Sequence, residues 1–320
     1  VLVSYKVNIG FVMDPLEEIN PAKDSTLMMM LAAKDLGAKI FTLHIDDLYM
    51  QDGSAMARMR QVDVFDDTDK WYEGFEYYHA PLSSLDIIFM RKDPPVDKRF
   101  IHACYVLEMA ERNGVYVSNP ALSLIDLNEK IYATHFPQFS APYVITADKN
   151  VLSEFLNSHE NIIIKPLDSM GGEGIFMVKK GDVNFEVIWE VQTNRGKYPV
   201  MAQRFIPEIA QGDKRILIVC GKPFGHAMAR LPKDGSIRGN LAAGGRYEIM
   251  PLTDREWEIS NAVAKDLLSR NIEFAGLDVI GDYLTEVNIT SPTGLRQLSV
   301  ATGQKIAHTL IQGVIERSGK

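Results

Sequence analysis

Cysteine is almost absent: Cys104 and Cys220 are the only two in 320 residues. They form no C-x-x-C pair, which excludes a disulfide scaffold and a zinc site, and each lies in an apolar run that reads as ordinary buried core. Positive charge is in deficit, with 34 Lys and Arg against 42 Asp and Glu, a net charge of −8 and a pI near 5.5. No overall field therefore exists to hold a nucleic-acid backbone or an anionic membrane. No stretch reaches the roughly 18 apolar residues needed to span a bilayer, and no basic region followed by a long apolar run opens the chain. A reducing cytoplasm is the expected compartment. Neither G-x-x-x-x-G-K-[ST] nor G-x-G-x-x-G occurs, so any nucleotide must be held without a Walker loop or a dinucleotide fingerprint.

What is present is the composition of a folded globular chain, 46% hydrophobic and 24% charged. At about 100 to 200 residues per domain, the length makes two domains or three small ones. Residues 7–13 form a short apolar run stopped at Asp14-Pro15, and residues 39–45 form another. Between them Asp24 or Ser25 caps a helix through Leu27, Met30 and Leu31 to Gly37. This βαβ opening predicts a parallel sheet with a ligand-facing edge at the carboxyl ends of its strands. A polar, irregular stretch is expected through Tyr78, then a strand over 85–90, a helix over 100–112 and a strand over 115–118. One helix is expected around 124–136. Beyond it come a helix over 151–158 and strands over 161–165 and 175–178 that flank a glycine-rich loop. Two hairpins follow, 214–220 returning as 224–231 and 274–280 returning as 283–289. Thr253-Asp254-Arg255-Glu256 has capping-box spacing, and a final helix is expected over 301–316. Strands arriving as hairpins imply antiparallel sheet, so the expected architecture joins an α/β amino-terminal domain to α+β units.

The second hairpin carries the strongest local signal. If it turns about Asp282, Asp278 lies opposite Glu286, and Asn288 shares their face. Opposed carboxylates are destabilising unless something positive sits between them, and three oxygen donors on one face suit magnesium completed by water and phosphate. The bland alternative is a solvated polar face in a shifted register. Gly171, Gly172 and Gly174 form a loop whose backbone N–H groups can fold over phosphates, although a glycine-rich hairpin turn has the same composition. Lys165, ending the strand before that loop, would point its ammonium at the same phosphates. Lys130 by itself reads as a surface lysine. Between Lys214 and Arg246 stand seven basic residues and one acidic residue, Asp234. Arg215 and Arg230 lie on the two strands of one hairpin; on a shared face they require an anion between them, whereas separate surface arginines require none. Residues 237–246 hold Gly239, Gly244 and Gly245 between two arginines, the composition of a lid or of a plain flexible loop.

Longer motifs then narrow the reading. Met90-Arg91-Lys92-Asp93-Pro94-Pro95, Asn128-Glu129-Lys130, Lys165-Pro166-Leu167-Asp168 and Gly212-Asp213-Lys214-Arg215 occur in that order. They continue with Arg238-Gly239-Asn240-Leu241-Ala242-Ala243-Gly244-Gly245-Arg246, Gly276-Leu277-Asp278 and Thr285-Glu286-Val287-Asn288 running into Ser291-Pro292-Thr293. Over essentially its whole length the chain resembles the prokaryotic glutathione synthetases, a branch of the ATP-grasp ligases. It departs from their pattern at Gly294-Leu295-Arg296-Gln297, where a larger residue and an acidic one are expected.

The resemblance implies an ATP-grasp fold with an amino-terminal α/β domain: that domain over residues 1–125, a central lid domain with the glycine-rich loop over 126–202, and a carboxyl-terminal ATP-grasp domain over 203–320. It implies ligation of γ-glutamylcysteine and glycine to glutathione through an acyl phosphate, with ATP as co-substrate and Mg2+, or Mn2+ in its place, as the metal. Another ATP-grasp carboxylate-amine ligase and a non-catalytic ATP-binding regulator are the alternatives. Lys130 and Lys165 would contact ATP phosphates, Gln203, Phe205 and Ile206 the adenine, and Asp213 the ribose. Asp278, Glu286 and Asn288 would hold the metal. Arg215, Arg230 and Arg238 would face the acyl-phosphate region, and Asp14, Arg91, Gly244, Gly245, Ser291 and Thr293 the substrates. A homo-oligomer, a tetramer by the resemblance, is implied, with no nucleic-acid or membrane partner.

Overall fold

The computed structural model describes residues 5–232 and 246–320. Arg238, Gly244, Gly245 and all of the expected lid over 237–246 except Arg246 lie outside the described residues. In chain order the elements are β1 (Asn8–Val12), α1 (Ser25–Asp35), β2 (Lys39–Leu43), β3 (Leu48–Gln51), β4 (Ser54–Val64), β5 (Tyr72–Gly74), β6 (Tyr78–Pro81), β7 (Ile87–Met90), α2 (Lys98–Arg112) and β8 (Tyr116–Ser118). The middle of the chain forms α3 (Ala121–Asp126), α4 (Glu129–Ala133), β9 (Tyr143–Thr146), α5 (Lys149–His159), β10 (Asn161–Pro166), β11 (Phe176–Lys179), α6 (Phe185–Gln192) and β12 (Val200–Arg204). The remainder forms β13 (Asp213–Val219), β14 (Lys222–Leu231), β15 (Arg246–Pro251), α7 (Asp254–Ser269), β16 (Phe274–Ile280), β17 (Tyr283–Asn288), α8 (Leu295–Thr302) and α9 (Ile306–Ser318).

Among the described residues these strands make three sheets. The first runs β3-β4-β2-β1-β7-β8, with β5 and β6 also paired to β4. Its centre, β2-β1-β7-β8, is parallel as the βαβ opening predicts. β1 is buried on both faces because helices cover both, which is why it reads as an unbroken apolar run. The second sheet, β11-β10-β12-β9, and the third, β15-β14-β13-β16-β17, are antiparallel throughout. Met29 and Met30 of α1 share one core with Leu310, Ile311 and Val314 of α9, so the end of the chain packs on its beginning. The second sheet has a small core of its own, Leu152, Leu156, Ile162, Ile164, Val178, Val200 and Ala202.

Four expectations need correction. The stretch through Tyr78 is not irregular: β3 to β6 lie within or across its end. In β4 the buried positions Ala55, Ala57 and Met59 alternate with the more exposed Met56, Arg58 and Arg60, a period-2 burial pattern that the sequence marks only weakly. The helix around 124–136 is two short helices, because the Asn128 side chain accepts from the N–H groups of Lys130 and Ile131 and starts a new one. The final helix is likewise divided, α8 ending at Gly303 with φ +70 before α9 begins. Helix α6 was not expected at all; it fully buries none of its residues, and only Phe185, Ile188 and Trp189, at helical spacing, pack part-buried against the core of the second sheet.

Candidate active site

A cavity of about 330 Å³ opens between the second and third sheets. Ile163, Lys165 and Gln203 reach it from the second sheet, Asp213, Arg215, Arg230, Asp278 and Glu286 from the third, and Lys130 from α4.

The hairpin of β16 and β17 has the expected register: Asp278 pairs with Glu286, and Asn288 falls opposite Gly276. A bulge follows Asp278, so the residues nearer the turn pair one position out of step. All three side chains line the cavity. Asn288 donates its Nδ2 to Gly276 O at 3.1 Å, which leaves its carbonyl oxygen as the group available to a cation. Among the described residues no three His, Cys, Asp or Glu side chains could cage a metal by themselves. Two carboxylates and an amide oxygen fit magnesium, which keeps water and phosphate oxygens in most of its shell.

Arg215 and Arg230 do share a face. Asp213 pairs with Arg230 and Arg215 with Met228, so the two arginines sit diagonally, on the side that also carries Asp278 across the β13–β16 ladder. The anion between them is the protein's own. Arg215 donates Nε to Asp278 Oδ1 at 2.5 Å and Nη2 to Oδ2 at 3.0 Å, and Arg230 Nη2 stands 2.9 Å from the same Oδ2. Arg230 also pairs with Asp213. Burial pushes both carboxylates up, but at Asp278 the two arginines outweigh it and hold the group well below the usual carboxylate range. At Asp213 burial prevails over Arg230, and the group is pushed up to about 6.

Lys130 is not a surface lysine. It is buried, donates Nζ to Ser169 O at 2.6 Å and lies 3.2 Å from Glu286 Oε1. Lys165 is buried beside it, with Nζ 3.3 Å from Thr285 O and 3.5 Å from Gln203 Oε1. Its pKa is lowered by burial and by the Lys130 charge, against the pull of Glu286. Two ammonium groups crowded into one cavity call for an anion of higher charge than Glu286 alone. Gly171 and Gly172 line the cavity with positive φ, whereas Gly174 is set back, where a Cβ would stand 2.8 Å from Pro166 Cγ. Phe205 and Ile206 follow β12 along the same wall.

The residues expected to meet substrates are only partly gathered. Ser291 and Thr293 line the cavity; Arg91 and Asp14 do not. Arg91 is buried, donating Nε to Thr26 Oγ1 at 3.1 Å and Nη2 to Pro292 O at 3.1 Å, while its Nη1 finds no partner among the described residues. Ser291 Oγ donates to Arg91 O at 3.2 Å, and Asp14 pairs with Lys92 at 3.0 Å. Sequence reasoning missed Glu129 and Asn119, both of which hold the end of β17. The one available signal was their place, Asn119 before a proline and Glu129 beside Lys130, and neither marks a long-range contact.

The family model described as the prokaryotic glutathione synthetase ATP-grasp domain matches residues 129–303, and that described as the N-terminal domain of the same enzymes matches residues 7–124. The glutathione synthetase of Pseudomonas aeruginosa is 46% identical over 308 residues, covering 96% of this chain and 97% of its own. That of Escherichia coli is 43% identical over 311 residues, covering 97% and 98%. Among solved structures, a D-cycloserine synthetase superposes with a TM-score of 0.69 at 12% identity, covering 97% of this chain and 99% of that one. D-alanyl-alanine synthetase A from Vibrio cholerae does so with a TM-score of 0.58 at 13% identity, covering 98% and 99%. At such identities the likeness speaks for the fold alone.

Proposed function

The chain belongs to the prokaryotic glutathione synthetase family and carries its ATP-grasp ligase domain, and from that premise we propose how its residues join γ-glutamylcysteine to glycine at the cost of ATP. The observation that carries the reading is the convergence of Lys130, Lys165, Arg215 and Arg230 on one cavity that also holds three oxygen donors.

In this reading ATP lies between the second and third sheets, its adenine along Gln203, Phe205 and Ile206 and its ribose at Asp213. Lys130 and Lys165 bind the phosphates, and the Gly171-Gly172 backbone closes over them. Asp278, Glu286 and Asn288 would hold magnesium, which when bound offsets phosphate charge. The cysteinyl carboxylate attacks the γ-phosphorus; the new C–O–P linkage forms as the bond to ADP breaks. Arg215 and Arg230 meet the charge on the transferring group, so that most of the acceleration is positioning and electrostatics. The glycine amine then attacks the acyl carbon and phosphate leaves with the bonding pair. Ser291 and Thr293, which line the cavity, would meet the peptide and the amino acid, with Arg91 and Asp14 in the same substrate-binding set. Residues 126–202 act as the lid domain; the family resemblance assigns Arg238 to the acyl phosphate and Gly244 and Gly245 to the substrates. A cytoplasmic homo-oligomer, with manganese able to replace magnesium, belongs to the same reading.

The test is ADP release with ATP, magnesium, γ-glutamylcysteine and glycine. Release with this pair and not with D-alanine as acceptor is the expected result. Release only with another acceptor or another acid would make the chain a different carboxylate-amine ligase, and nucleotide binding without turnover would make it a regulator.

A further inference from the structure

Glu129 opens the first turn of α4, one residue before Lys130, and lines the cavity. Its Oε1 accepts three hydrogen bonds: from Ile289 N at 2.9 Å, Thr290 N at 3.0 Å and Thr290 Oγ1 at 2.8 Å. Ile289 and Thr290 directly follow Asn288, the last residue of β17, and directly precede Ser291. Backbone groups just past a strand end have no ladder partner, and leaving them unpaired beside a buried core is costly. A carboxyl oxygen supplies the missing acceptor.

The same segment is held from its other side. Asn119, just after β8, donates Nδ2 to Ile289 O at 2.7 Å and to Phe274 O at 2.7 Å, while its Oδ1 accepts from Glu273 N at 3.0 Å and Phe274 N at 3.1 Å. Asn119 thereby fixes the end of β17 against the first domain, and Glu129 fixes it against α4. Lys130 rises from that same turn of α4 to meet Glu286, two residues before Asn288.

We propose that Glu129 is a positioning residue: by clamping the Ile289-Thr290 backbone to α4, it sets the spacing between the Lys130 ammonium and the Glu286 and Asn288 oxygens, so that one nucleotide meets both. What the clamp needs is an acceptor oxygen at the end of a side chain of this length. Its negative charge is dispensable. The inference rests on reading the cavity as a nucleotide site.

The experiment is calorimetric titration of ADP, with and without magnesium, into the wild-type protein, E129A, E129Q and T290V, with a melting temperature for each. E129A should weaken ADP about tenfold or more, as expected for the loss of the hydrogen bonds that hold the Ile289-Thr290 backbone in place. E129Q keeps the acceptor and should stay within about threefold of wild type, with T290V, which removes one of three donors, weakened by an intermediate factor. Wild-type ADP affinity in E129A would overturn the proposal. So would an E129Q that melts like wild type yet binds as weakly as E129A, because charge rather than spacing would then be what matters. If E129A does not fold, T290V decides, and unchanged affinity there overturns the clamp. Absence of ADP binding by the wild-type protein overturns the nucleotide reading and this inference with it.

Discussion

Arg215 grips Asp278 in a fork, Nε to Oδ1 and Nη2 to Oδ2, with both side chains buried at the cavity wall. Planar, bidentate pairing of this kind is available to arginine and not to lysine. A carboxylate held this way is ionised and fixed in orientation before any cation arrives, and its arginine partners are already placed where phosphate charge would develop.

The first prediction concerns that fork. Arg215→Ala should lower kcat by about a hundredfold or more, the scale seen when one preorganised donor to a transition-state anion is removed. Arg215→Lys keeps the charge without the fork and should recover only part of it. Steady-state ADP release is the measurement; a kcat for Arg215→Ala within about threefold of wild type would take Arg215 out of the reaction.

Glu286 is shared between Lys130 and the proposed metal edge. Glu286→Gln removes one charged oxygen donor, so the magnesium concentration giving half-maximal rate should rise about tenfold or more while the melting temperature stays close to wild type. An unchanged magnesium dependence would strike Glu286 from the ligand set.

Asp213 supplies a pH test. Its folded pKa is raised, to about 6 from 3.8, with burial the dominant cause and Arg230 opposing it. Between those values the folded protein keeps a proton that the unfolded chain releases. The stability from that proton is present below about pH 4 and is lost as pH rises through about 6. Asp213→Asn cannot ionise, so its stability relative to wild type should grow by roughly 1–3 kcal/mol from pH 4 to pH 7. Urea melts across that range read the difference, and a flat or falling difference contradicts the assignment.

Gly171 and Gly174 both have positive φ, +64 and +69, but a Cβ at Gly171 meets nothing within 4 Å, whereas one at Gly174 would meet Pro166 at 2.8 Å. Gly171→Ala should cost about 1–2 kcal/mol for the left-handed backbone alone. Gly174→Ala adds a clash with a ring that ends β10 and should cost more. Thermal melts of the two variants that fall equally would show that Pro166 gives way.

Much of the site was legible because hairpins are local. Gly281-Asp282 marks the turn, and the pairing that follows, brought into step by the bulge after Asp278, sets Asp278 against Glu286 with Asn288 on the same face. Arg215 and Arg230 shared a face for the same reason. Lys130 was misread as a surface residue because nothing near it in the chain says that Ser169 and Glu286 will close around it. The strands from β3 to β6 were missed because β3, β5 and β6 bury no residue fully and the first half of β4 buries only Ala55, Ala57 and Met59, with Met56 on the other face.

By itself, then, the sequence determined the parallel sheet at the start, the antiparallel hairpins later, the oxygen trio and the run of motifs that marks the family. Each of these depends on periodicity, turn chemistry or spacing within a few tens of residues. Only the tertiary structure decided that Asp278 would stand between Arg215 and Arg230, that Lys130 would be buried, and that Glu129 and Asn119 would hold the end of β17. Those arrangements bring together residues as much as 170 positions apart, and the balance of burial against charge at such a meeting point is set by the neighbours it gathers.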